Sequence, residues 1–229
     1  MLENNKYSIF ILYLLSINIL KTYSVILFYG AVWGLIEATF GYINHHFHLH
    51  MANLILFPIG LACMVYASGR LNFHSYIPLA VAFVATLIKL TSLAFPIGDH
   101  LFRIINPCIN MMGEGTFILV AILIFKIEDY TITLRGTGLL YIFAILFSML
   151  FMCYQIAIGT RELNYLLSPT HLAIKFSQIS YHILLLLIFL PLTNRLYRKT
   201  KYRGKTSLTE KQLAIPTLLL AIIATILLR

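Results

Sequence analysis

Charge is what this chain has least of. Only 11% of its 229 residues are Asp, Glu, Lys or Arg, where a soluble domain carries about a quarter. That scarcity, with 60% hydrophobic residues and a mean hydropathy of +0.86, excludes an ordinary water-soluble globule. Cysteine is nearly as sparse: Cys63, Cys108 and Cys153 all lie in apolar segments and form no CxxC pair, which excludes a disulfide framework and a dithiol redox centre. There is no Walker motif, so the chain has no nucleotide site of its own. No internal repeat, low-complexity tract or soluble domain is evident. The first six residues carry no net charge and no small-x-small cleavage site follows Lys21, so the apolar stretch 7–20 is expected to be retained rather than removed as a signal peptide.

What is present is a series of long apolar runs. Six cover residues 24–44, 52–68, 75–95, 106–125, 138–158 and 170–192, and a seventh, 212–228, ends the sequence. They are too long and too uniformly apolar for outer-membrane strands. The expectation is an all-α polytopic membrane helix bundle, a single integral membrane domain over 1–229. Its parts are a short N-terminal hydrophobic helix (1–23), a six-helix transmembrane core (24–195), a basic loop (196–211) and a C-terminal span (212–229). The stretch 7–20 is short for a full crossing and is expected to lie in the interface or pack obliquely.

The net charge of +9 is compatible with nucleic acid in principle, but seven of the 17 basic residues fall between Arg195 and Lys211, directly after a hydrophobic run. Such a tract is a juxtamembrane loop facing anionic lipid, and no nucleic-acid partner is expected. Lys21, Arg70, Lys126 and Arg135 follow the same rule, which places their loops and 195–211 in the cytoplasm of a multi-pass cell-membrane protein. The opposite side then collects six of the eight histidines: His45, His46, His48, His50, His100 and His171. Asn106-Pro107 and Ser168-Pro169 each place a capping side chain before a proline, and two helices are expected to begin there, on the outer face.

The most informative pattern is His171, Lys175, Gln178 and His182, spaced at offsets of 4, 7 and 11. On a 3.6-residue helix these fall on one face. A charge at the centre of a membrane helix costs about 2.5–3.5 kcal/mol on insertion scales, so the stripe should face protein or water. Glu37, Glu114 and Asn110 are further polar residues within apolar runs and join the stripe as candidate ligand-binding groups; Lys89 offers a neutralising partner that would lock helices together. The run His45-His46-Phe47-His48-Leu49-His50 could supply imidazoles from His45, His46, His48 and His50 to a transition metal, though it matches no ligand template. Cys108, Met111 and Met112 on one run, and Met149, Met152 and Cys153 on the next, would suit a soft metal if they faced each other, and otherwise are packing residues.

Within GAVWGLIEATFGYINHH, Gly30, Gly34 and Ala38 form a small-xxx-small ridge that lets another helix approach closely. Six spans, an outward polar cavity and this ridge resemble the substrate-binding S component of energy-coupling-factor importers of vitamins or metals, over residues 24–195. The resemblance implies a small membrane protein that captures a solute from outside, with its pocket at the outer ends of the first, fourth and sixth spans. It also implies docking through Gly30, Gly34 and Ala38 on an energising module of ATPase and coupling membrane protein. The C-terminal span is additional to that family's six helices, and no vitamin-specific motif is present.

The leading expectation is therefore a solute- or metal-capturing membrane protein serving import. Two other readings stand beside it. One is an intramembrane enzyme, either a metal-dependent hydrolase or a cysteine transpeptidase or protease using Cys108 with His171. The latter resembles exosortase-type sorting enzymes in the order of Cys and His, but the arginine of that pattern has no match within a helix. The other is a structural scaffold subunit of a membrane complex.

Overall fold

The computed structural model describes residues 2–47, 52–71, 74–94, 101–125, 134–159, 163, 167–201 and 207–227. These form seven α-helices, and no strand occurs among the described residues: α1 (Leu2–Phe47), α2 (Ala52–Arg70), α3 (Ile77–Leu90), α4 (Leu101–Phe125), α5 (Leu134–Ala157), α6 (Pro169–Lys201) and α7 (Ser207–Leu227). A 3-10 turn, Thr91–Ala94, extends α3.

Four helices contain stretches long and apolar enough to cross a membrane: Ile19–Ile43, Ile104–Ile124, Arg135–Ala157 and Pro169–Ile188. The apolar parts of α2, α3 and α7 are shorter, Ile55–Arg70, Ile77–Leu93 and Gln212–Leu227. The expected membrane helix bundle is thus present, with four rather than six core helices meeting the length of a full crossing. The surface agrees with a lipid setting. Leu146, Leu150, Ile174, Leu184, Leu219 and Ile223 are each at least half exposed, an apolar surface that water would penalise and acyl chains solvate.

Two boundaries differ from expectation. The apolar stretch 7–20 is not a separate helix but the first part of α1, 46 residues long, or about 69 Å at about 1.5 Å per residue. No glycine or proline occurs before Gly30, so nothing in the backbone interrupts the helix between the two apolar runs. The second concerns Asn106-Pro107. α4 begins at Leu101, which puts Pro107 inside the helix, where it removes one i→i−4 hydrogen bond. Asn106 therefore does not cap; its Oδ1 is buried without a hydrogen-bond partner among the described residues. Ser168-Pro169 does behave as expected: α6 starts at Pro169, and Ser168 Oγ accepts the His171 backbone N–H at 3.3 Å.

Helix α1 is the hub, packed against α7, α3 and α2, while α3 also lies along α4. The core between them is formed by Val25, Trp33, Leu61, Met64, Ile77 and Ile118, none more than 1% exposed. The ridge of Gly30 and Gly34 explains how close α1 and α3 come. A Cβ on Gly30 would stand 2.6 Å from Val84 Cβ, and one on Gly34 would stand 2.9 Å from Ile88 Cδ1. Ala38, one turn further, is also buried. At Gly30 and Gly34 the expected docking ridge is met from inside the chain: two β-branched side chains of α3 fill the groove that the missing Cβ atoms leave.

Hydroxyl groups in these helices are largely satisfied locally. Ser24, Thr39, Ser68, Thr116 and Thr225 each donate to the carbonyl four residues back, at 2.7–3.0 Å. A lipid-facing helix can carry such groups without exposing an unsatisfied donor. The long polar side chains of α4 and α6 cannot be absorbed this way, and they gather elsewhere.

Candidate functional site: an intramembrane chamber

α2, α4, α5 and α6 close a ring: α2 packs against α4 and α6, and α5 packs against the same two helices from the other side. Between them lies a partly open chamber of about 130 Å³. Asn110, Gly113, Glu114 and Phe117 face it from α4, and Lys175, Gln178, Ile179 and His182 from α6. Phe143, Ala144, Phe147, Ser148 and Phe151 face it from α5, and Phe57 from α2. The α4 and α6 faces follow from i, i+3, i+4 and i+7 periodicity, and the phenylalanines of α5 recur every fourth residue. The lining falls in the first half of α6, at 175–182, and in the middle of α4 and α5, at 110–117 and 143–151.

Close packing shapes the wall. A Cβ on Gly113 would run into the Phe147 ring, so glycine at this position is what lets α5 set that ring against α4. Phe117 and Phe143 stack across the α4–α5 seam with centroids 6.4 Å apart and planes at 20°. On the α2–α6 side, the His182 imidazole stacks on Phe57 at 3.7 Å and 17°, with Tyr181 tilted beside it at 5.9 Å. The His182 Nε2 is buried and has no hydrogen-bond partner among the described residues. An unsatisfied buried group of this kind costs about 1–3 kcal/mol, which makes it a natural contact for a bound molecule. Lys175 lies within electrostatic range of His182.

Five of the seven expected ligand-binding residues converge here: Asn110, Glu114, Lys175, Gln178 and His182. The other two do not line the chamber. His171 sits in the first turn of α6, held by the Ser168 cap. Glu37 is buried at 8% exposure in α1, within electrostatic range of Lys89 on α3. The Lys89 Nζ approaches α1 at Gly41, one turn beyond, 3.6 Å from the position of a Cβ there. Glu37 therefore belongs to the α1–α3 contact, the helix-locking role open to it from the sequence, although its charge also acts on Glu114.

The remaining expectations separate in the same way. The Cys108 thiol is buried and donates to the Thr86 carbonyl of α3 at 4.0 Å. It faces away from the chamber, and neither it nor His171 lines it, so no cysteine–histidine pair is assembled there. Met111 is buried, whereas Met149 and Cys153 are exposed. The two thiol–thioether sets thus do not face one another. The side chains of His45 and His46, and all of His48 and His50, lie outside the described residues. Among the described residues no three of His, Cys, Asp and Glu are grouped as a metal site.

The sequence reading missed the aromatic wall. Its signal was present as Phe143, Phe147 and Phe151 at four-residue spacing, with Ala144 and Ser148 alongside. Phenylalanine is so common in lipid-facing helices that the pattern carries no weight until the facing helix supplies Gly113 and Glu114.

Comparison with known proteins adds no relative: no protein-family model matches the chain, and no curated protein or solved structure matches it significantly.

Proposed function

We propose that this chain is an integral membrane protein that captures a small organic solute in the α2–α4–α5–α6 chamber and serves its import. The observation that carries the reading is the convergence of Glu114, Lys175, Gln178 and His182 from two helices on one cavity with an aromatic wall. Polar groups held at this depth are expensive, and those that line a cavity mark a solute path or binding site. In this reading α2 and α3, though short, cross the bilayer shielded by their longer neighbours, giving the six-helix core expected from hydropathy. The chamber opens to the exterior and the basic tract faces the cytoplasm. In this reading the chain resembles the S components of energy-coupling-factor importers, a likeness that rests on its helix pattern and small-residue ridge. An ATPase and coupling partner would supply the energy that a chain without a Walker motif lacks. Their docking surface would lie elsewhere than Gly30 and Gly34, which α3 covers.

The test is sidedness. In a Cys153→Ser background, Ser148→Cys places a thiol on the chamber wall. A small membrane-impermeant methanethiosulfonate added to intact cells is expected to modify it. Modification only after the cytoplasmic side is opened would refute capture from outside.

A further inference from the structure

The chamber's two diagonals differ in chemistry, and this difference narrows the ligand; the argument rests on the capture reading above. Each of α4 and α6 packs against both α2 and α5, so α4 and α6 face one another across the ring, as do α2 and α5. Along the α4–α6 diagonal stand Glu114 and Asn110 on one side, Lys175 and Gln178 on the other. A carboxylate only accepts hydrogen bonds when ionised, an ammonium only donates, and amides do both. A solute lying along this diagonal is matched when one end donates and the other accepts. A solute that offers only acceptors leaves Glu114 unmatched, and one that offers only donors leaves Lys175 unmatched.

The crossing diagonal is aromatic. Phe143 and Phe147 rise from α5, with Phe143 stacked on Phe117 at 20°. Opposite them is the Phe57–His182 stack, at 17°. Aromatic rings on facing walls suit a planar π-system better than a branched aliphatic chain. Size completes the constraint. The chamber measures about 130 Å³, and an apolar protein cavity of about 150 Å³ accommodates benzene. There is room for one ring between the walls, with polar substituents reaching along the other diagonal.

We infer that the chamber selects a compact amphoteric aromatic solute: a single planar ring with a hydrogen-bond-donating nitrogen at one end and a carboxylate at the other. The nitrogen is directed to Glu114 and the carboxylate to Lys175 and Gln178.

The experiment uses the purified full-length protein in detergent, with binding measured by equilibrium dialysis for three probes. 4-Aminobenzoate has the inferred pattern, with a neutral donating amine; 6-aminohexanoate carries an ammonium and a carboxylate on an aliphatic chain, and benzoate lacks the donor. 4-Aminobenzoate is expected to bind about tenfold or more tightly than either comparator, as expected for one hydrogen bond to a charged group or one lost ring face. Glu114→Gln should abolish its advantage over benzoate. Phe147→Leu should weaken it about three- to tenfold, and Phe143→Leu carries the same test if Phe147→Leu does not fold. Equal or tighter binding of 6-aminohexanoate, or of benzoate, overturns the inference and leaves capture standing. Absence of binding by all three probes also overturns it; capture then stands if the thiol introduced at Ser148 is reachable from outside, and falls with it if that thiol is not.

Discussion

Glu37 and Glu114 read alike in the sequence, each a lone carboxylate in an apolar run, yet they occupy different environments. Glu37 is buried in α1 with the Lys89 charge nearby, whereas Glu114 faces the chamber. Neutral isosteres should separate them. Glu37→Gln leaves the Lys89 charge without its counterpart and is expected to lower stability by about 1–3 kcal/mol, seen as a lower unfolding temperature in detergent, with solute binding retained. Glu114→Gln is expected to do the reverse, altering binding with little change in unfolding temperature. At Gly113 the prediction concerns volume. In Gly113→Ala the new methyl meets the Phe147 ring, so α5 must shift or the ring must swing into the chamber, at a cost of about 1–3 kcal/mol. Thermal unfolding with a binding assay checks this, and unchanged values in both would mean that Phe147 does not rest on Gly113. What the sequence could not reveal at this scale was pairing. Residue type and depth made both carboxylates conspicuous, but only the neighbouring helix decides whether a lysine or a cavity meets them.

Among the helices, α6 was the most legible because its polar residues repeat with the helical period in an otherwise apolar segment. Its start was legible too, since Ser168 and Pro169 are local signals that act within one turn. The start of α4 was not, because Asn106-Pro107 carries the same local signature but the apolar residues before it extend the helix to Leu101. In a membrane, neighbouring helices tolerate the proline's lost hydrogen bond, so a strong stop signal in water becomes a weak one in lipid. The ridge on α1 was recognised correctly as a packing surface, but its occupant lay beyond local pattern. Gly34→Leu is therefore expected to destabilise the isolated protein by about 1–3 kcal/mol or more by forcing α1 from Ile88, measured as a fall in unfolding temperature. A ridge reserved for an outside partner would instead leave the isolated protein's stability unchanged.

At the scale of the whole molecule, the bundle divides among the described residues into a tightly packed half, α1 with α2, α3 and α7, and a more loosely enclosed half in which α5 packs mainly against α4 and α6. The first half holds the buried core and the second holds the chamber. Hydropathy made the membrane class plain but not the number of full-length spans, because α2 and α3 pack among their neighbours and need not match the bilayer in length. The account as a whole depends on one face of α6 pointing into a solvent-accessible chamber. The most direct measurement is a single-cysteine scan along residues 174–184 in a Cys153→Ser background, recording the rate of reaction with a small hydrophilic methanethiosulfonate. Rates are expected to peak at Lys175, Gln178 and His182 and to be low at Ile174, Phe176 and Leu184, which face outward. Peaks at those three outward positions, or a flat profile along the helix, would contradict the chamber.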